Sequence, residues 1–289
     1  MHKPPKKWII RDKNGRAGSS SPHRTALNSL AASLFVAALA ATAFAATPAQ
    51  KSSATVQIGE IGRSAKVTLG IGDTLTVLLP ANVTTGYGWE ITANNKALLA
   101  SGSRANLPPE NKRVGASGRR RLLFTAKVPG HDRLVLSYRR PWEKNAAPAR
   151  SLTLEVAIVP AGADSPAAVD PGETPIARYT GKLPCADCSG IRQSIRFYSS
   201  GSAPYKAGYY VEAMTYLNAP HGNVANITAG KWTEKRGAPS DPGASIYALS
   251  LDSSRRTQNY QLKGRSLIPL DNAMRPIQSP FDMTLHRIR

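Results

Sequence analysis

Leu152-Thr-Leu-Glu-Val-Ala-Ile-Val159 places Leu152, Leu154, Val156 and Ile158 at every second position, with Thr153, Glu155 and Ala157 between them. A period of two sends alternate side chains to opposite faces, so the octapeptide reads as a strand with one buried and one wetter face. Further back, Thr74-Leu-Thr-Val-Leu-Leu79 repeats the pattern through Leu75, Val77 and Leu79. Other strand-like runs lie at 55–58, 66–69, 89–91, 122–126 and 133–138. Seven short strands in roughly 105 residues, broken by Gly and Pro turns and without a competing amphipathic helix, describe a β-sandwich.

Beyond this block, 160–175 is dominated by Ala, Pro, Gly and Asp without apolar periodicity, the composition of a linker. Strand signals then resume at 191–197, 206–212, 230–234, 245–251, 259–262, 266–269 and 283–288. Their short length and Gly, Pro, Asn and Ser turns suit a small antiparallel barrel. The expected fold class is therefore all-β, an immunoglobulin-like β-sandwich followed by a small β-barrel. The expected layout is a signal peptide at 1–45, the sandwich at 46–160, a linker at 161–176 and the barrel at 177–289.

The leader reads from Lys3, Lys6, Lys7, Arg11, Lys13, Arg16 and Arg24, an apolar run from Leu30 to Ala41, and Ala43-Phe44-Ala45, which predicts cleavage before Ala46. The basic region is unusually long for a secretory signal and allows a translation start downstream of Met1. No later run reaches the roughly 18 apolar residues of a spanning helix, and no cysteine follows the apolar run to carry a lipid. The expectation is an exported protein, periplasmic or secreted, with no membrane anchor in the mature chain. The formal charge of the whole chain is +20. The leader takes seven basic and one acidic side chain with it, leaving +14 scattered through strand-like segments. That distribution argues against a nucleic-acid interface, where basic residues gather on one face or tail.

Three turns interrupt the sandwich strands. Asn82-Val-Thr-Thr-Gly-Tyr-Gly-Trp89 is uncharged, with stiff β-branched Thr84 and Thr85, a Gly86 that permits positive φ, and the large amphipathic Tyr87. Trp89 is expected to point into the core. Gly115-Ala-Ser-Gly118 is a flexible bend, and Arg140-Pro-Trp142 follows the 133–138 strand. Pro141 fixes φ and restricts Arg140, which holds Trp142 in a defined direction. Arg and Trp are the residue types most often found at interface hot spots. Asn82-Val83-Thr84 also matches a glycosylation acceptor, and a glycan there would obstruct the loop.

Taken in order, these turns resemble the chagasin-type (I42 family) inhibitors of papain-like cysteine proteases, whose loops carry Asn-Pro-Thr-Thr-Gly-Tyr/Phe, a Gly-x-x-Gly-like turn and Arg-Pro-Trp. The resemblance covers roughly residues 55–159. It implies an immunoglobulin-like fold with three loops at one end that reversibly occlude a protease cleft. Asn82, Thr84, Thr85, Gly86 and Tyr87 would enter near the catalytic cysteine, with Arg140, Pro141 and Trp142 bracing one side and Gly115 to Gly118 the other. Val83 departs from the family's proline, which keeps the loop extended but loses the φ lock.

In the second block, Lys182-Leu-Pro-Cys185-Ala-Asp-Cys188-Ser-Gly-Ile191 sets the chain's two cysteines just before a strand. A thioredoxin-like site needs this motif at a helix start, and Ile191, Ile195 and Phe197 continue with strand spacing. A disulfide and a Cu(I) site drawing on Met214 or His221 remain as readings. The segment resembles the N-terminal domain of NlpE, an envelope lipoprotein linked to copper tolerance and stress signalling. Gly181 to Gly190, Gly230-Lys-Trp232, Tyr247-Ala-Leu249 and Leu267 to Asp271 carry that resemblance, which implies a lipocalin-like barrel. Without a lipid-anchor cysteine, membrane-tethered signalling is not expected.

His131, His221 and His286 lack partners at nucleophile or metal spacing in the sequence, so the chain is not expected to be an enzyme. The functional expectation is a reversible inhibitor of papain-like cysteine proteases carrying an NlpE-like envelope domain. The alternative is a copper-related or envelope-stress module using Cys185 and Cys188.

Overall fold

The computed structural model describes residues 54–62, 64–109, 117–143, 145–160, 167–220, 223–251 and 257–289, without the side chain of Val83. The leader, Gly115 and His221 lie outside these residues. In chain order the first strands are β1 (Thr55–Ile58), β2 (Ser64–Gly70), β3 (Thr74–Ala81), β4 (Gly88–Ala93), β5 (Leu99–Leu107), β6 (Gly118–Ala126), β7 (Gly130–Arg139), β8 (Arg150–Val159) and β9 (Ala168–Asp170). There follow β10 (Ala177–Leu183), β11 (Ile191–Ser199), β12 (Ala207–Tyr216), β13 (Val224–Ala238), β14 (Asp241–Ser250), β15 (Gln258–Lys263), β16 (Ser266–Leu270) and β17 (Leu285–Ile288). Among the described residues, helical backbone is confined to a single 3-10 turn at Val83–Thr85, and no helix is long and apolar enough to cross a membrane.

Strands β4, β7, β8, β2 and β9 form one sheet of the sandwich, and β1, β3, β6 and β5 form the facing one. The alternation that marks 152–159 becomes the inner face of β8, where Leu152, Leu154, Val156 and Ile158 are all buried opposite Leu75, Val77 and Phe124. Burying an aliphatic or aromatic side chain of this kind stabilises the fold by about 1.5–3 kcal/mol. Asp73, 1% exposed, is the polar clamp of the core: its carboxylate accepts the backbone N–H of Ala54 at 2.6 Å and of Gly70 at 2.7 Å. It thereby ties the approach to β1 to the β2–β3 turn.

The barrel closes from eight strands, β10 through β17, because β12 pairs with both β11 and β13. The expected fold class, sandwich then barrel, is observed. What the sequence pattern does not announce is how the two join. β1 runs parallel to β3 on one side and parallel to β13 on the other, with Val56 opposite both Leu75 and Ile227. The outward face of β13 supplies Ala225, Ile227 and Ala229 to the sandwich core, and Tyr198 and Val211 of the barrel join them.

Three strands fall where none was expected. β5 contains Gly102, Ser103, Arg104 and Asn106, the composition of a turn, but among the described residues it is an edge strand paired with β6, and it bulges between Ser101 and Arg104. β10 includes Gly181, beside whose Cα Leu285 and the Thr284 carbonyl pack too closely for a side chain. β9 lies within the segment read as a linker. Its Val169 is fully buried and pairs with Val67 of β2, so three residues with one buried side chain dock back on the sandwich.

Candidate functional site

Pairing register brings the three loops to one end. Ala81, the last residue of β3, lies opposite Gly118, the first of β6, and Gly88, the first of β4, lies opposite Arg139, the last of β7. The β3–β4, β5–β6 and β7–β8 connections therefore leave the sandwich together. Gly118 is required here, since a Cβ would run into the carbonyl of Leu107.

The first loop holds its own shape. The side-chain oxygen of Asn82 accepts the N–H of Thr84 at 3.1 Å and its hydroxyl at 2.7 Å, while the Thr85 hydroxyl donates to the Asn82 carbonyl at 2.7 Å. Such side-chain to backbone bonds turn the chain without a proline. Gly86 then takes φ +74°, a left-handed conformation that a side chain resists. At the base, the Tyr138 hydroxyl accepts the Asn82 N–H at 3.2 Å.

The third loop leans on the first. The Trp142 ring packs against the α-carbon of Gly86 with no room for a Cβ between them, yet Trp142 remains 66% exposed. Arg140 donates from Nε to the Thr85 carbonyl at 3.3 Å, and its guanidinium lies over the Tyr87 ring at 4.6 Å. Glu143 also holds that guanidinium, at 2.9 Å. Trp89 is buried, as expected, and its indole N–H donates to the Pro80 carbonyl at 2.9 Å.

Residues that sequence reasoning did not single out support this end. Tyr138 stacks on Tyr87 at 5.3 Å and tilts against Trp89 at 5.2 Å. Arg150, opposite Tyr138 in the β7–β8 register, lays its guanidinium over the Tyr138 ring at 4.5 Å. Glu60 pairs with Arg150 at 3.6 Å and with Lys231 of the barrel at 3.0 Å. Only the alternation of Tyr138 with Leu134 and Leu136 hints at its place. Arg150 carries no local signal.

In the barrel, Cys185 and Cys188 form a disulfide. Both sulfurs are consumed by that bond, so neither offers the thiolate that Cu(I) binding requires. The Cu(I) reading is corrected on that ground, although Asp187 completes a cluster with them. Met214 lies on β12. His286 has two neighbours that sequence spacing does not single out. Its Nδ1 is 3.2 Å from the Ser266 hydroxyl and its Nε2 3.9 Å from Asp282. The imidazole and the carboxylate are both exposed, and the second contact is loose.

A sandwich whose first and third loops lean on one another at one end, joined to an eight-stranded barrel, defines the class of fold. Residues 68–156 match the chagasin family peptidase inhibitor I42 profile, and residues 179–280 match the NlpE N-terminal domain. The chain thus carries a segment similar to the chagasin family followed by one similar to the NlpE N-terminal domain. Among solved structures, the cysteine protease inhibitor EhICP2 from Entamoeba histolytica is 25% identical, covering 37% of this chain and 97% of its own, with a TM-score of 0.35. Amebosin is 26% identical over 36% of this chain and 98% of its own, with a TM-score of 0.32. The Cpx pathway activator NlpE from Escherichia coli is 29% identical over 40% of this chain and 53% of its own, with a TM-score of 0.26. This chain therefore spans about half the length of that NlpE. A search of curated proteins returned no match.

Proposed function

We propose that the chain is a reversible inhibitor of papain-like cysteine proteases that blocks the active-site cleft with its three loops. The observation that carries this reading is the contact between Gly86 and Trp142, which joins the first and third loops into one wedge within the segment matching the inhibitor family. Asn82, Thr84, Thr85, Gly86 and Tyr87 form its leading edge, Arg140, Pro141 and Trp142 one flank, and the turn ending at Gly118 the other. Cleavage needs a carbonyl aligned with the protease thiolate. A loop braced by its own hydrogen bonds can fill the cleft while presenting none. An interface of standard size, about 1,600 Å² in total, is expected, centred on Tyr87 and Trp142.

Under this reading the wedge belongs to 46–160, the barrel of 177–289 is the scaffold that completes its sheet, and the protein acts outside the cytoplasm, in keeping with the leader and the NlpE-like segment. The test is a titration of papain with the chain from Ala46 onward. Competitive inhibition that is relieved on dilution is expected, and Trp142→Ala should raise the inhibition constant severalfold or more. A folded protein that leaves papain fully active at micromolar concentration would refute the proposal.

A further inference from the structure

The barrel interior divides into two halves. At one end Phe197 meets Tyr179, Trp232 and Tyr247 edge-on at 5.3–5.8 Å, and with Tyr210, Leu249 and Leu267 they fill the lumen. Above this plug sits a polar layer. Gln193, 4% exposed, donates from Nε2 to Glu212 Oε1 at 2.6 Å and to the Tyr260 oxygen at 2.9 Å, and the Tyr260 hydroxyl lies 3.5 Å from the same Oε1. Both of these contacts to Glu212 fall on Oε1, none reaches Glu212 Oε2 among the described residues, and the residue keeps partial exposure.

Register shows where the other half leads. Phe197 opposes Tyr210, Ile195 opposes Glu212, Gln193 opposes Met214 and Ile191 opposes Tyr216, so these side chains line the inner face in ascending order. Exposure rises along the same path, from fully buried Phe197 to partly exposed Met214, Tyr216 and Ile191. Thr228, directly opposite Glu212 on β13, and Asn226, opposite Met214, are also only partly buried. The result is a cup with an aromatic base, a free carboxylate oxygen on its floor and a mixed rim. The inhibitory loops make no use of it.

We infer that this cup binds a small organic ammonium ion, with the charged head on Glu212 and the hydrocarbon tail along Ile191, Met214 and Tyr216. A carboxylate is an acceptor only, and an ammonium brings three donors. Glu212 Oε2 takes one, and the Thr228 hydroxyl and Asn226 amide oxygen stand on the adjacent strand at cross-strand spacing. A divalent cation is a poorer fit, since calcium or magnesium asks for about six oxygen ligands. Burial raises the Glu212 carboxyl above its ordinary range, against the lowering effect of the bonds from Gln193 and Tyr260. A cationic partner offsets the cost of ionising it there.

The experiment is calorimetric titration of the full chain with hexylammonium, beside hexanol and hexanoate, at pH 8 and at pH 5. Saturable binding of hexylammonium alone is expected, weaker at pH 5 where protons compete for the carboxylate, and reduced at least tenfold in Glu212→Gln. Met214→Lys, which tethers an ammonium in the cup, should also abolish it. An unchanged circular dichroism spectrum and papain inhibition constant establish that each variant is folded. Absence of hexylammonium binding, equal binding of hexanol, or undiminished binding by Glu212→Gln would each overturn the assignment. None of these outcomes bears on protease inhibition, which is read separately.

Discussion

Gly86→Ala tests the wedge at the point where its two sides touch. Two penalties act together. The backbone at φ +74° disfavours a β-carbon by about 1–2 kcal/mol. The new methyl would also overlap Cη2 of Trp142 and come within 3.0 Å of Cζ2, so the indole must swing aside. Because Trp142 is 66% exposed, the swing removes little buried area. The stability cost is then mostly backbone strain, a fall in Tm of about 2–8 °C at 2–4 °C per kcal/mol for a unit of this size. Binding should suffer more. Displacing a hot-spot tryptophan costs about 2 kcal/mol or more, roughly a 30-fold rise in the papain inhibition constant. A double-mutant cycle separates the causes. In a Trp142→Ala background, Gly86→Ala should add only a few-fold, because the side chain it displaces is already gone. Additive effects, or an unchanged constant in the single variant, would refute the claim that the loops act as one wedge.

Other consequences can be measured directly. Asp73→Ala orphans the buried N–H groups of Ala54 and Gly70, at about 1–3 kcal/mol each. Denaturant unfolding should show a loss of that order, with Asp73→Asn intermediate, and an unchanged midpoint would contradict the clamp. Glu212→Gln should alter the pH dependence of stability. The folded carboxyl is raised by burial, so its contribution is full below the unfolded value and is lost as pH rises through the folded one. The variant should therefore gain Tm over the parent at pH 8 and not at pH 4, and an equal difference at both would count against it. The Cys185–Cys188 bond spans a sequence separation of 3, so reduction should cost about 2 kcal/mol or less. Inhibition of papain should persist in reducing buffer, and its loss there would tie the loops to the disulfide. Truncation after residue 160 removes β13 from β1. The fragment should melt lower and self-associate by gel filtration, whereas a monomer of full stability would show that the barrel is dispensable to the sandwich.

The alternation in 74–79 and 152–159 was enough to read two-sheeted packing, because those strands bury one face each and nothing else suits a period of two. β5 escaped notice for the converse reason. An edge strand buries little, and its Gly102, Arg104 and Asn106 carry turn chemistry rather than strand chemistry. The loops were legible as motifs, since Asn82, Gly86 and Pro141 act locally on the backbone. Their support was not legible. Tyr138 and Arg150 matter through ring and cation contacts across β7 and β8, and Glu60 through partners 90 and 171 residues away. No local period records such distances. The same holds for Glu212, a lone acid in the sequence that gains meaning only when the barrel closes around it.

The placement of β1 has a consequence for how the chain comes to be folded. Its neighbour on one side, β3, follows within about twenty residues, but its neighbour on the other, Asn226 to Ala229, emerges some 170 residues later. Contacts of such separation form late, since the loop between them must close first. Until then the sandwich has an unpaired strand edge beside an apolar surface awaiting Ile227 and its neighbours, a combination that invites association with other chains. Arrival of the second half ends that exposure, so the barrel governs when the first half stops being sticky.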